Sequence, residues 1–517
     1  MKKILFAFYL FTLSLVAHAQ LNNSWIDYSK TYYKFKVLQT GLYRINESVL
    51  SAAGLSAVPA EQFQLWRNGQ PVRIYTSVAT GLLGSSDYIE FWGEMNDGKP
   101  DRTLYRNPTY QLCDSYSLSS DSATFFLTVN PSGGNLDYTT VANNTSTNTL
   151  PAEPYFMQKV ENPFRDQQSG GYEVDLGGDD IYSSEYDKGE GWVSATINGC
   201  CYNKQFSPLN SYTSGPASNV SFNITTTGID SSTKEFTVKL FNTTIIDTVF
   251  NGFTIINKTV NNIALSTLES SDNASIFIGA TNPVVLGTFS FTYPATFNFN
   301  NQSNFYFELP ASTVGNYLVI NNFNNNAVAP VLYDKSTGNR YIGDISTPGQ
   351  IKFELPASMN PVRKFLLVSE ATSNITNIGS LISRTFIDYG NVANQGNYII
   401  ISNPVLYNDG TGINNVDNYR QYRSSPPGGS YNAKVVSINE ITDQFAFGIT
   451  NHPVAVRDFI RYAYYNFTIK PQYIYIIGQG LNAVYPPLYQ TATLVSQLDL
   501  VPTFGNPASD VLLACDP

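Results

Sequence analysis

Apolar and polar residues alternate over most of the first three quarters of the chain, the period expected of half-buried β-strands. Tyr32-Tyr-Lys-Phe-Lys-Val37 alternates, and Gly41-Leu-Tyr-Arg-Ile45 continues the pattern. A short helix is expected from Asn46, a good N-cap, to Gly54, a good stop. Phe63-Gln-Leu-Trp-Arg67, Asn68-Gly69 and Pro71-Val-Arg-Ile-Tyr75 predict a hairpin, because Asn-Gly suits the positive φ angles of a type I′ turn. Asp87-Tyr-Ile-Glu-Phe-Trp-Gly93 and Ala123-Thr-Phe-Phe-Leu-Thr-Val129 add strands. Residues 130–154, rich in Asn, Ser, Thr and Gly, read as a linker. Beyond it short strands recur every ten or so residues, from Ser221-Phe-Asn-Ile-Thr225 to Phe365-Leu-Leu-Val368, with Gly, Pro and Asn between them. That spacing predicts a β-sandwich.

The period changes near residue 396. Tyr398-Ile-Ile-Ile-Ser402 is a continuous apolar run of strand length, followed by an Asn/Asp/Gly loop and a polar helix over 416–423. Ala433-Lys-Val-Val-Ser-Ile438 is a second apolar run. A helix is expected to open at His452-Pro453, since proline suits the first helical position. Its apolar positions are Val456, Phe459, Ile460, Ala463 and Tyr464. Tyr473-Ile-Tyr-Ile-Ile477 is a third run, ending at Gly478-Gln-Gly480. Such a series predicts a parallel sheet with helices on both faces. A fourth strand is expected where Leu500-Val-Pro-Thr-Phe-Gly505 leads into Ser509-Asp-Val-Leu-Leu-Ala-Cys515.

The fold class is therefore multidomain: two N-terminal β-rich domains, the second a β-sandwich, followed by a partial α/β parallel-sheet domain. The expected limits are 1–19 for a signal peptide, then 20–150, 151–390 and 396–517. At 517 residues the chain has room for about three domains of roughly 150 residues.

Tyr398-Ile-Ile-Ile-Ser-Asn-Pro404, Asp443-Gln-Phe-Ala-Phe-Gly448, Pro453-Val-Ala-Val-Arg-Asp-Phe-Ile460, Tyr473-Ile-Tyr-Ile-Ile-Gly-Gln-Gly480 and Pro502-Thr-Phe-Gly-Asn-Pro-Ala-Ser-Asp510 together resemble the opening of the catalytic domain of gingipain-type cysteine peptidases. Gly41-Leu-Tyr43, Arg67-Asn-Gly69 and Ile89-Glu-Phe-Trp-Gly93 resemble the N-terminal region of the same family, which serves bacterial type IX secretion. Gly189-Glu-Gly-Trp192 and Phe297-Asn-Phe299 resemble its central β-domain. The resemblance implies a caspase/gingipain-like domain, Cys–His nucleophilic catalysis and protein or peptide substrates. It also implies that the catalytic His and Cys lie on strands later than Pro517. No catalytic, cofactor-binding or metal residue is assigned within the chain.

Composition sharpens this picture. Hydrophobic residues make up 42%, ample for packed cores, whereas only 14% are charged, as in an exported strand-rich protein. Formal charge is −10, and two more negative without Lys2 and Lys3. An acidic chain without a basic cluster is a poor nucleic-acid partner. Lys2-Lys3, the apolar run 4–16 and Ala17-His18-Ala19 form the three parts of a signal peptide. Export to the extracellular or outer-membrane surface is expected. No other run reaches the ~18 apolar residues of a membrane helix.

Candidate chemistry is sparse. Cys113, Cys200, Cys201 and Cys515 set no disulfide framework. Adjacent Cys200-Cys201 are not expected to bond to each other, and one of them pairing with Cys113 is a weak alternative. His452 is the only histidine after signal removal, and it reads as a helix-start residue. Cys515 follows an expected strand, but reads as a buried thiol. Gly478-Gln-Gly480 lies where open α/β folds place ligands, yet no Gly-Lys-Ser/Thr follows, so a tight turn is the expectation. Asn96-Asp-Gly-Lys-Pro-Asp101 and Gly177-Gly-Asp-Asp180 carry oxygens that a structural calcium could use, without EF-hand spacing. The favoured reading is a secreted gingipain-type cysteine endopeptidase, this chain lacking the dyad and inactive alone. The alternatives are the type IX secretion sortase, which would engage that machinery, and a non-catalytic cell-surface β-domain binding module.

Overall fold

The structure, a computed structural model, describes residues 22–183, 185–215, 219–268, 272–481, 497–505 and 508–514. The expected signal peptide and Cys515 lie outside the described residues.

The alternating strands near the N-terminus form two sheets. One has the order Ile382–Arg384, Tyr32–Val37, Ala123–Val129, Phe63–Arg67, Gln70–Val72. The other has the order Ile375–Asn377, Gly41–Asn46, Tyr88–Gly93, Tyr75–Thr76. Phe35, Phe91 and Phe125 pack between them. The Asn-Gly hairpin forms as expected, with Asn68 at φ 49° and Gly69 at φ 69°. The short helix spans Glu47–Ala52. Its C-terminus closes through Gly54 N–H to Ser51 O and Leu55 N–H to Leu50 O, both 2.9 Å, the Schellman pattern that needs a left-handed residue at Gly54. Asn46 precedes the helix, but its side-chain oxygen makes no capping bond, and its amide nitrogen donates to Asn377 Oδ1 at 3.1 Å. Ile375–Asn377 and Ile382–Arg384 arrive from far along the chain to flank both sheets.

Residues 156–295 build two four-stranded antiparallel sheets. Val220–Gly228 runs through the middle of one and Thr233–Leu240 through the middle of the other. Val220, Phe222 and Ile224 alternate inward, as a sandwich requires. Residues 298–368, joined by Thr139–Val141, make a further pair of sheets. Phe156, Phe297, Phe299 and Phe307 tie the two pairs into one continuous apolar core.

The period change near residue 396 marks the parallel sheet, ordered Ala433–Ser437, Tyr398–Ser402, Tyr473–Ile477. Helices cover both faces. Ile399 and Ile401 meet Ile441, Phe445, Val456 and Phe459, while Tyr398 and Ile400 meet Val416 and Tyr419. Asn415–Ser424 is capped by Asn414, whose side chain accepts from Asp417 N–H at 2.9 Å.

Three expectations need correction. The second strand stops at Ser437, and Ile438–Phe445 is a helix that takes in the start of the Asp443–Gly448 segment. Ser437 caps it, accepting from Asn439 N–H at 3.2 Å. Tyr464 is half exposed rather than part of the buried face of Val454–Asn466. The fourth strand is not found among the described residues, where Val511–Ala514 is a helical turn that buries Leu513. Leu512 and Leu513 would face opposite ways on a strand, whereas on this helical turn Leu513 is buried in the core and Leu512 packs partly buried against it.

Candidate functional site

At the C-terminal ends of the three parallel strands lie Asn403, Ser437 and Gly478. The glycines after the third strand are required there. A Cβ on Gly478 would stand 2.8 Å from Val501, and one on Gly480 would stand 2.5 Å from both Thr503 Cγ2 and Val501 O. Their absence lets residues 499–503 press against the loop. Leu500 and Val501 N–H donate to Gln479 O at 2.8 and 3.0 Å, and Thr503 Oγ1 donates to Leu481 O at 2.8 Å. Asn403 ties this segment to the central strand by donating to Leu500 O at 2.9 Å. The tight-turn expectation for Gly478-Gln-Gly480 thus gains a purpose, close approach of a second chain segment. Asp499 is buried beside the loop, accepting from Leu481 N–H at 3.2 Å, and burial pushes its carboxyl up to about 6.

A groove at this edge is lined by Asn403, Asn439, Thr442, Asp443 and Asp499 on one side and by Lys34 and Lys36 of the N-terminal domain on the other. Lys34 Nζ lies 2.7 Å from Asp443 Oδ2, and Arg384 Nε lies 2.8 Å from the same oxygen. Lys36 Nζ donates to Thr124 Oγ1 at 2.7 Å and Gly448 O at 2.8 Å. Lys36 is exposed overall, and partial desolvation of its ammonium against Thr124 and Gly448 pushes its pKa down to about 8. Glu440 accepts from Ile387 N–H at 2.8 Å. The tip of the Asn68-Gly69 hairpin packs on Phe447, and a Cβ on Gly69 would stand 2.8 Å from that ring. The N-terminal domain therefore grips the helix Ile438–Phe445 and the turn after it.

His452 belongs to the same seam. It is buried, its Nδ1 accepts from Val454 N–H at 3.2 Å, and its Nε2 lies 2.8 Å from Asp101 Oδ1. With Nδ1 an acceptor, Nε2 carries the proton and donates it to Asp101. Asp101 also accepts from Ser117 Oγ at 3.1 Å and Leu118 N–H at 2.6 Å. Both side chains are spent on holding two parts of the chain together. Of the Asn96–Asp101 oxygens, those of Asp101 accept from three donors and Asp97 pairs with Lys99. Among the described residues, no three His, Cys, Asp or Glu side chains gather to hold a metal.

None of the cysteines among the described residues lines the edge groove. Cys113 is buried and burial pushes its thiol up, whereas Cys200 is exposed at the start of Cys200–Phe206, with no bond between them. Sequence reading missed the Asp101–His452 pair because its members are 351 positions apart. The local signal was only that His452 stands beside a helix start.

The architecture is that of a β-rich multidomain protein carrying an α/β unit with its strand ends facing a neighbouring domain, the edge where open α/β folds place their ligands. Residues 391–516 match the model of peptidase family C25, so the C-terminal unit is of the gingipain type. The structure is similar to that of dimeric latent PorU from Porphyromonas gingivalis, at 14% identity and a TM-score of 0.56, over 94% of this chain and 46% of that one. The chain thus spans less than half the length of PorU. A carbohydrate-binding module, CBM36 in complex with calcium and xylotriose, matches over 26% of this chain and 98% of that one at 15% identity, with a TM-score of 0.16 too low to bear on fold or ligand. No curated protein matches the chain. Among the described residues, no helix is long and apolar enough to cross a membrane.

Proposed function

We propose that this chain serves an exported gingipain-type cysteine endopeptidase whose Cys–His pair lies outside residues 1–517. The observation that carries this reading is the peptidase-family match of residues 391–516, which coincides with the parallel-sheet unit. In such chemistry a thiolate attacks a peptide carbonyl, an imidazole moves the proton and backbone N–H groups hold the oxyanion. The described residues support a scaffold for that chemistry rather than its execution. Their one histidine is held by Asp101, and their cysteines lie away from the strand ends. The domains over 20–150 and 151–390 act as a prodomain or spacer that holds the helices behind the sheet. Lys2-Lys3, the apolar run after them and Ala17-His18-Ala19 support export.

A second reading, the type IX secretion sortase, is favoured by the likeness to PorU, which takes in the β-domains as well as the α/β unit. Both readings share a thiol acyl-enzyme and differ in what resolves it, water or an amine. The purified 20–517 chain is expected to cleave no peptide after Arg, Lys or any other residue. Extension through the downstream coding sequence is expected to confer thiol-dependent hydrolysis. Amine-transfer products instead would favour the sortase. Neither activity would leave a binding module. Cleavage by 20–517 that is lost in Cys515→Ala would overturn the placement of the dyad.

A further inference from the structure

Cys200 and Cys201 are adjacent in sequence, and their sulfurs are 2.8 Å apart. Strand geometry normally sends neighbouring side chains to opposite faces, so this approach needs a local departure from the pleat. Gly199, left-handed at φ 66°, supplies a bend immediately before the pair. The positions opposite are the two smallest residues available: Cys200 faces Ala280 and Cys201 faces Gly279. Cys200–Phe206 is an edge strand, and Cys200 is exposed. The sulfurs are therefore close together, with Cys200 open to solvent and Cys201 half-buried beside it. Cys113 is buried and cannot compete for either without unfolding its surroundings.

We propose that Cys200 and Cys201 form a redox-labile site, two thiols when reduced and a vicinal disulfide after reaction with a small-molecule or protein disulfide. One cysteine loses its proton to solvent, and its thiolate attacks a sulfur of the incoming disulfide. That disulfide's own bond breaks and releases one thiolate. The second cysteine, deprotonated in turn, attacks the mixed disulfide at the first cysteine's sulfur and expels the other half. The pair gives up two protons and two electrons, and the incoming disulfide becomes two thiols. Adjacent α-carbons are about 3.8 Å apart across a trans peptide, below the usual span of a disulfide, so the closed ring is strained. Strained, exposed disulfides are the readily reduced ones. Closure also pulls the start of the edge strand away from Ala280 and Gly279, leaving the rest of the sheet paired. The site thus couples the thiol–disulfide state of the surroundings to one end of a sandwich sheet.

The test is direct, because the tryptic peptide 189–204 holds both cysteines and excludes Cys113. The full chain is treated with oxidised glutathione, alkylated, digested and weighed. The expected peptide is two hydrogens lighter, carries no alkyl group, and regains two alkylation sites after excess reduced glutathione. Amide exchange is expected to quicken at residues 200–202 and 279–280 only. Cys200→Ser, an exposed change, is expected to give a single glutathione adduct on Cys201 and no ring. Two alkylated thiols in the oxidised wild type, stable glutathione adducts without closure, or a link to Cys113 would each overturn the proposal.

Discussion

The central strand Tyr398–Ser402 and its neighbour Tyr473–Ile477 have almost the same composition and pair in parallel, residue against residue, yet all five residues of the first are buried. In the second, Tyr473 and Tyr475 remain 49% and 45% exposed. The first is paired on both sides and packed on both faces, whereas the second has one partner among the described residues. The same contrast extends outward. Toward the N-terminal domain the sheet is backed by helices that share a core with Leu104, Leu118, Tyr186 and Trp192. They are also held by Lys34, Arg384 and the Asp101–His452 pair. Toward the other flank lie exposed tyrosines and a backbone edge that no other described residues pair with. Residue type sets what a strand can bury, and the neighbours it finds decide what it does bury.

If that contrast governs stability, the outer flank opens first. Local opening ranges from near zero for poorly covered segments up to the global unfolding free energy for core strands, so the gap is expected to be several kcal/mol. Limited proteolysis is expected to cut first within 397–517, in segments such as the exposed loop 408–413 or around Tyr473–Ile477. Protection should follow when downstream sequence is included. First cuts inside 20–390, with 397–517 intact, would break the comparison.

The seam can be attacked from its buried side. Asp101→Ala leaves the His452 Nε2–H, the Ser117 hydroxyl and the Leu118 N–H without their acceptor in a site closed to water. Each buried donor left without an acceptor costs about 1–3 kcal/mol, so a loss of about 3–5 kcal/mol is expected from the three together. A matching fall in urea midpoint is expected, and a loss below about 1 kcal/mol would mean that water reaches the pair. Gly69→Ala should act more weakly at the same seam. A left-handed alanine costs about 1–2 kcal/mol, to which displacement of Phe447 adds. The aromatic shift of Phe447 by NMR would separate the two contributions.

Much of this fold was legible in the chain. Alternation located the sandwich strands, Asn68-Gly69 located a hairpin, and the run 398–402 located the central parallel strand. Local pattern failed where a choice depended on distant partners. Ile375–Asn377 and Ile382–Arg384 are too short to announce which sheets they flank. Ile438–Phe445 was hidden because Val435-Val436 and Ile438 read as one apolar run, although Ser437 is a capping residue and Ile438, Ile441 and Phe445 recur at helical spacing. Of the candidate site, the glycine pair and its sheet edge were visible, while Lys34, Lys36 and Asp101 could be placed there only by tertiary packing.

The smallest effect is expected at the sheet edge itself, through Asp499. Burial raises its carboxyl to about 6 from the ordinary 3.8, so the folded state holds a proton that the unfolded chain gives up between those values. A raised folded pKa gives stability that is fully present below about 3.8 and is lost as pH rises through about 6. Two pH units correspond to somewhat under about 3 kcal/mol if fully realised, and about 1–2 kcal/mol is expected after relaxation of the loop. Asp499→Asn keeps an acceptor for Leu481 N–H and carries no charge at any pH. The variant should equal the wild type near pH 4 and exceed it near pH 7. Urea unfolding at both values, followed by a probe in the C-terminal unit, measures the difference. Equal pH dependence in the two proteins would mean that the segment 499–503 is open to solvent, and that the edge groove is as loosely held as the outer strand.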